Sequence, residues 1–199
     1  MLNTISSAVD IGSKSADFID TLIQKVEKYK TLKQDTTAYL RMLYIEVIMN
    51  IEVLNTVSFD SFTGISPNDP KIKALLALIR IDIAESVFYK TSDNPNTELY
   101  DRLKRKGKVN NRSNELTKPK SDGIDVKVKQ RFIYENILQA IAFVVTKIGL
   151  MKMYAELPNE DFAVIKNINI KSRLINIYQR FLMIKTVMDS FDEIKEMAR

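Results

Sequence analysis

Cysteine and histidine are both absent from the 199 residues. Without cysteine there are no disulfides, no thiolate chemistry and no zinc or iron–sulfur site built on sulfur. Without histidine the chain lacks the usual general base near neutral pH and the commonest metal ligand. Serine–histidine and cysteine–histidine nucleophilic arrangements go with it. Glycine and proline are scarce, at five each, which argues against a turn-rich sheet protein and for long helices. No Walker A run and no Gly-x-Gly-x-x-Gly occurs, so the standard phosphate cradles are missing as well.

The composition is otherwise that of an ordinary globular protein, 45% hydrophobic and 28% charged. The length suits one helical domain spanning residues 1–199. Asp10, Lys14, Asp17 and Asp20 interrupt the N-terminal region where a signal core would lie. The apolar stretches around 42–54 and 137–151 are broken by Glu46, Asn50, Glu52 and Lys147, so neither reads as a membrane span. The expectation is a cytoplasmic protein with no membrane partner.

What is present in excess is positive charge in one place. Residues 102–120 hold Arg102, Lys104, Arg105, Lys106, Lys108, Arg112, Lys118 and Lys120 against the single acid Glu115. That window carries a net +7 in a chain of net +5, leaving −2 for everything else. A nearly neutral helical body with a basic insertion, about 97–125, is the picture that results.

Apolar spacing predicts the body. Phe18, Leu22, Val26 and Tyr29 form a stripe over 14–30, and a second helix follows from an Asp35 cap to about Val57. Their short connection makes them an antiparallel hairpin. Asp69 and Pro70 read as cap and first residue of a third helix ending near Lys90. A fourth is expected from about Val126 to Tyr154, with Arg131 and Glu135 spaced as an ion pair. A short helix follows from Pro158 to about Ile165. Asn167 or Asn169 caps a last helix over about 170–196. The fold class is therefore all-α, an elongated bundle of about five principal helices with a basic inserted loop.

Three groups of residues are candidates for function. On the second helix Glu46 and Asn50 lie one turn apart amid Leu43, Val47 and Leu54, so both are expected to be buried; a buried carboxylate needs a partner. The expected partner is an arginine or tyrosine of another helix, or Lys147 reaching across; the alternatives are a wet inter-helix seam, or an acid of raised pKa in a polar groove for a ligand. On the last helix Arg173 and Arg180 share the face opposite the apolar stripe, two turns apart, and could extend the basic surface. Asp82 and Glu85, with Glu46, are the one carboxylate set that could hold a divalent cation; neither a metal nor a cofactor is expected.

The reading favoured by these observations is a non-catalytic module that contacts a nucleic-acid phosphate backbone, RNA or DNA, through the basic segment. Point charges and counterion release would supply affinity with little sequence readout. Only Tyr100 stands near the lysines, so the stacking platform of a single-strand binder is missing. The alternatives are an adaptor or accessory subunit that meets an acidic protein, an atypical carboxylate-dependent metal enzyme, and a homo-oligomer formed through an apolar helix face.

Overall fold

The computed structural model describes residues 36–89, 95–110, 134–158 and 168–198. They form an all-α elongated bundle, and no sheet occurs among the described residues. The helices are α1 (Thr36–Asn55), α2 (Pro70–Leu78), α3 (Asp82–Ser86), α4 (Pro95–Lys106), α5 (Ile137–Glu156), α6 (Ile170–Met188) and α7 (Asp192–Lys195). Short 3₁₀ turns cover Phe59–Phe62 and Glu196–Ala198. The helix expected over 14–30, the Asp35 cap and the short helix after Pro158 lie outside the described residues.

The three long helices, each about 30 Å at 1.5 Å per residue, frame the bundle. Helix α6 packs against both α1 and α5, and α3 and α4 each touch the same two helices. Leu40, Leu43, Val47 and Leu54 of α1 join Ile137, Ile141, Val144 and Ile148 of α5 in one core. Leu174, Ile177, Phe181 and Ile184 of α6 complete it. Each such side chain contributes about 1.5–3 kcal/mol through burial. Tyr44 hydrogen-bonds Asp189 at 2.5 Å and Tyr178 hydrogen-bonds Asn55 at 2.7 Å, fixing both ends of the α1–α6 pair.

Local capping behaves as the sequence implies at two sites. Asp69 accepts from Lys71 N–H with Pro70 at the first position of α2. Asn169 accepts from Ser172 N–H to open α6.

Three expected helices are cut instead. The third is interrupted at Ile79–Ile81, where Ile79 and Ile81 turn inward and Arg80 outward. The fourth, as far as it is described, begins at Ile137, because Asn136 is extended and caps it, so Glu135 is not helical; Arg131 lies outside the described residues. The last ends at Met188, since Phe191 and Ile194 fold back into the core and restart the chain as α7.

Helix α5 covers the apolar stretch 137–151. Among the described residues it is the one helix long and apolar enough to cross a bilayer by length and composition. In the bundle it packs against α2, α3, α4 and α6.

Candidate functional site: a basic helix end and a buried polar seam

The basic segment is mounted on a stiff junction. Leu99 and Leu103 bury one side of α4, and Lys104, Arg105 and Lys106 fill its last turn. Cations there face the negative end of the helix dipole. The chain then runs extended for three residues against the lead-in to α5. Val109 N–H donates to Glu135 O at 2.9 Å, and Ile137 N–H donates to Gly107 O at 2.8 Å. Lys108 and Asn136 form an antiparallel bridge. The carboxamide of Asn136 serves two helices. Its Nδ2 donates to Leu103 O and Lys104 O at the end of α4, and its Oδ1 accepts from Leu138 N–H at the start of α5.

Gly107 is required by this close approach. A Cβ at that position would lie 2.3 Å from Leu103 O and 2.6 Å from Ile137 Cγ1, both inside van der Waals contact. Gly107→Ala is therefore expected to cost about 1–3 kcal/mol as overpacking, read as a lower urea midpoint. A variant at wild-type stability would show that the junction is loose.

The junction sorts the cations. Lys104, Arg105 and Lys108 are exposed. Arg102 is half-buried and pairs with Glu193 of α7, with a further bond to Thr37 at 3.2 Å. Lys106 meets the same Glu193 oxygen at 3.2 Å. Arg41 adds a bond to the Glu193 carbonyl at 3.2 Å and to the Glu196 carboxylate at 3.3 Å. Burial acts to raise the Glu193 carboxyl, but a backbone hydrogen bond, Lys106 and Arg102 outweigh it and hold the group below its ordinary value. Part of the positive charge is thus neutralised from within. Arg112, Lys118 and Lys120 lie outside the described residues.

The two arginines of α6 do not join this surface. Arg173 sits against the Tyr154 ring at 5.9 Å. Tyr154 lies 18 residues along α5 from Asn136, about 27 Å at the helical rise, so Arg173 belongs to the opposite end of the bundle. Arg180, read from the sequence as an outward contact residue, is fully buried. Its guanidinium lies 4.6 Å from the Phe143 ring centroid, donates to Tyr134 Oη at 3.2 Å, and donates to Asn176 O and Oδ1 at 3.1 and 3.0 Å. The face is covered by α5. Lys147 sits over the same Phe143 ring at 5.7 Å; it makes no ion pair with Glu46.

Glu46 and Asn50 are buried, as their place on α1 implies, at 6% and 1% exposure. Their partners are backbone groups rather than an arginine or tyrosine. Asn50 accepts from Arg80 N–H at 3.0 Å and donates to Arg80 O at 2.5 Å, satisfying that residue as a neighbouring strand would. The two Glu46 oxygens accept from Ile83 N–H and Ala84 N–H, each at 2.8 Å, so the carboxylate caps α3 from a distance. Lys152 Nζ takes Ile79 O at 3.2 Å. The backbone groups freed by the α2–α3 break are thereby paired, as burial demands. Burial pushes the Glu46 carboxyl up to about 7, with nearby Asp82 adding to the rise and the amide hydrogen bonds opposing it.

These bonds engage Glu46, the buried member of the carboxylate set Glu46, Asp82 and Glu85, with main-chain groups. Both Glu46 oxygens face amides, and Glu85 accepts from Tyr89 Oη at 2.7 Å. Among the described residues no cluster of three or more acidic side chains is placed to hold a metal ion. A cleft of about 300 Å³ between α2 and α5 is lined by Lys73, Leu76, Ala77, Lys152, Ala155 and Glu156. Its two lysines are engaged, Lys73 with Glu156 at 3.7 Å and Lys152 with Ile79 O.

Glu193, Asn136, Gly107 and Tyr134 are the residues that sequence reasoning passed over as parts of these sites. Glu193 lies near Asp189, Asp192 and Glu196 in the sequence, but nothing in the spacing ties it to Arg102, which is 91 residues away. Compared with protein-family models, with curated proteins and with solved structures, the chain matches none.

Proposed function

We propose that the protein is a non-catalytic module that binds the phosphate backbone of RNA or DNA through the end of α4 and the residues that follow. The observation that carries this reading is the placement of Lys104, Arg105 and Lys108. They are exposed together on a backbone held by the Gly107–Asn136 junction. Cations on a stiff support lose less freedom on binding than cations on a free loop. Tyr100 is engaged edge-on with Phe88, ring centroids 6.3 Å apart, which favours backbone contact over base stacking.

Labelled single- and double-stranded RNA and DNA, titrated across a salt series, test the reading. Three phosphate contacts give a slope of about −3 in log K against log salt on duplex DNA, steeper where Arg112, Lys118 and Lys120 take part. The combined Lys104→Ala, Arg105→Ala, Lys108→Ala variant should lose most of the affinity and flatten the slope. Glu193→Gln should act in the opposite direction. Releasing Arg102 and Lys106 from their internal acid adds up to two contacts, so binding tightens and the slope steepens. A folded wild type that binds none of the four probes at low salt would transfer the surface to an acidic protein partner.

A further inference from the structure

Two cations of α4 depend on one oxygen of the C-terminal turn. Arg102 and Lys106 stand one turn apart on α4, the spacing at which like charges repel, and both reach Glu193 Oε1. Glu193 Oε2 is buried, and among the described residues no donor of another residue meets it. The carboxylate thus answers two cations through a single oxygen. A backbone phosphate carries the same single charge on two unesterified oxygens and gives one to each cation. Lys104 and Arg105 lie on the same last turn of α4, so a phosphate held there is already beside the pair.

The parts of this contact are fixed to different degrees. Helix α7 is fastened independently of the Glu193 carboxylate. Phe191 and Ile194 are buried in the core, and Arg41 Nε donates to the Glu193 carbonyl. Arg102 is aimed independently of it as well, by its bond to Thr37 Oγ1. Lys106 has 47% of its side chain accessible, so a polyanion reaches the group from solvent. Burial of two large apolar side chains outweighs ion pairs between partly exposed groups. The carboxylate is the part that yields, and the turn stays on the bundle.

We propose that Glu193 is an autoinhibitory gate, an internal anion that occupies the Arg102–Lys106 pair until a backbone phosphate displaces it. The proposal rests on the reading of the basic helix end as a polyanion surface. Displacement removes two holds on the C-terminal turn, so binding is coupled to the local order of that turn, and the coupling is reciprocal. Hydrogen exchange of the wild type with and without a saturating RNA or DNA duplex reads the gate directly. Amides of 194–197 should exchange about fivefold faster in the complex, the size expected when two partly exposed ion pairs no longer oppose local opening. Those of α6 should not change. In Glu193→Gln the turn should be equally fast with and without the duplex.

Affinity supplies a second arm, with Asp192→Asn as the control, since it removes the same charge one residue away from an acid that pairs with Lys195. Two released cations tighten duplex binding of Glu193→Gln by up to about 30-fold at about 0.15 M salt. Asp192→Asn should change it by less than about twofold, as a screened distant charge does. Arg102→Ala added to Glu193→Gln should cancel much of the gain. Suppose the wild type binds, the turn exchanges at one rate throughout, and Asp192→Asn tightens binding as much as Glu193→Gln. The gate is then overturned and the polyanion surface stands. Binding by Glu193→Gln alone means a gate closed in the wild type and supports the proposal. No binding by either protein at low salt sinks the surface and the gate together.

Discussion

Replacing Glu46 with alanine is expected to lower the stability of the fold by about 3–5 kcal/mol. Two amides, the buried one of Ala84 and the part-buried one of Ile83, lose their acceptors, and a buried donor left unpaired costs about 1–3 kcal/mol. The emptied volume adds to this. Glu46→Gln keeps one acceptor but turns its NH₂ toward the other amide, so a loss of about 1–3 kcal/mol is expected at acid pH. The pH dependence separates the two effects. The folded-state carboxyl is raised from its ordinary value to about 7. Its contribution is therefore complete below about pH 4.5 and is lost as pH rises through 7. One pKa unit corresponds to about 1.4 kcal/mol, so the loss by pH 8 is about 3 kcal/mol. Urea unfolding of the wild type should show a midpoint that falls between pH 5 and pH 8. Glu46→Gln should lack that fall, and the gap between the two proteins should narrow as pH rises. A wild-type midpoint that is flat across this window would mean that Glu46 stays ionised and that the amides, not burial, dominate its titration.

The same residue shows how far the sequence reached. Helical periodicity placed Glu46 and Asn50 among Leu43, Val47 and Leu54, and both are buried there. It could not supply their partners, because those are main-chain groups exposed by a break in a helix 30 or more residues away. The break itself had a signal. Ile79, Ile81 and Ile83 alternate with Arg80 and Asp82, a period of two inside a segment whose earlier residues repeat at helical spacing. The first of these alternations survives as an extended turn of chain, with Ile79 and Ile81 inward and Arg80 outward. The caps Asp69 and Asn169 were legible because capping depends on residues within one turn. The late start of α5 was not, since Asn136 ends the extended lead-in only by virtue of its bonds to the end of α4.

The basic window was legible as charge and only partly as surface. Counting residues gives +7 over 102–120, but Glu193 of α7 takes up Arg102 and Lys106. Charge that is spent inside the fold is invisible to a local count. The contact reading accordingly narrows, within the described residues, to Lys104, Arg105 and Lys108.

Arg180 carries the second large prediction. Arg180→Ala is expected to cost about 3–5 kcal/mol, because a fully buried side chain leaves a cavity against Phe143 and withdraws the donors that Tyr134 and Asn176 use. Arg180→Met retains the volume and the contact with Phe143 while losing the charge, and a swap of that kind at a buried ion is commonly far milder than truncation. A loss of about 1–2 kcal/mol is expected, most of it from unpaired polar groups. Thermal or urea unfolding measures both. The two arginines of α6 shared a face in the sequence because seven residues bring the helix nearly back to its starting angle. Periodicity tells which residues share a face and is silent on whether another helix covers it. Binding separates the two roles. If Arg180 acts only in the core, Arg180→Met assayed well below its melting temperature should keep the wild-type salt slope toward nucleic acid. A slope reduced by about one unit would instead count Arg180 among the phosphate contacts and require α5 and α6 to part on binding.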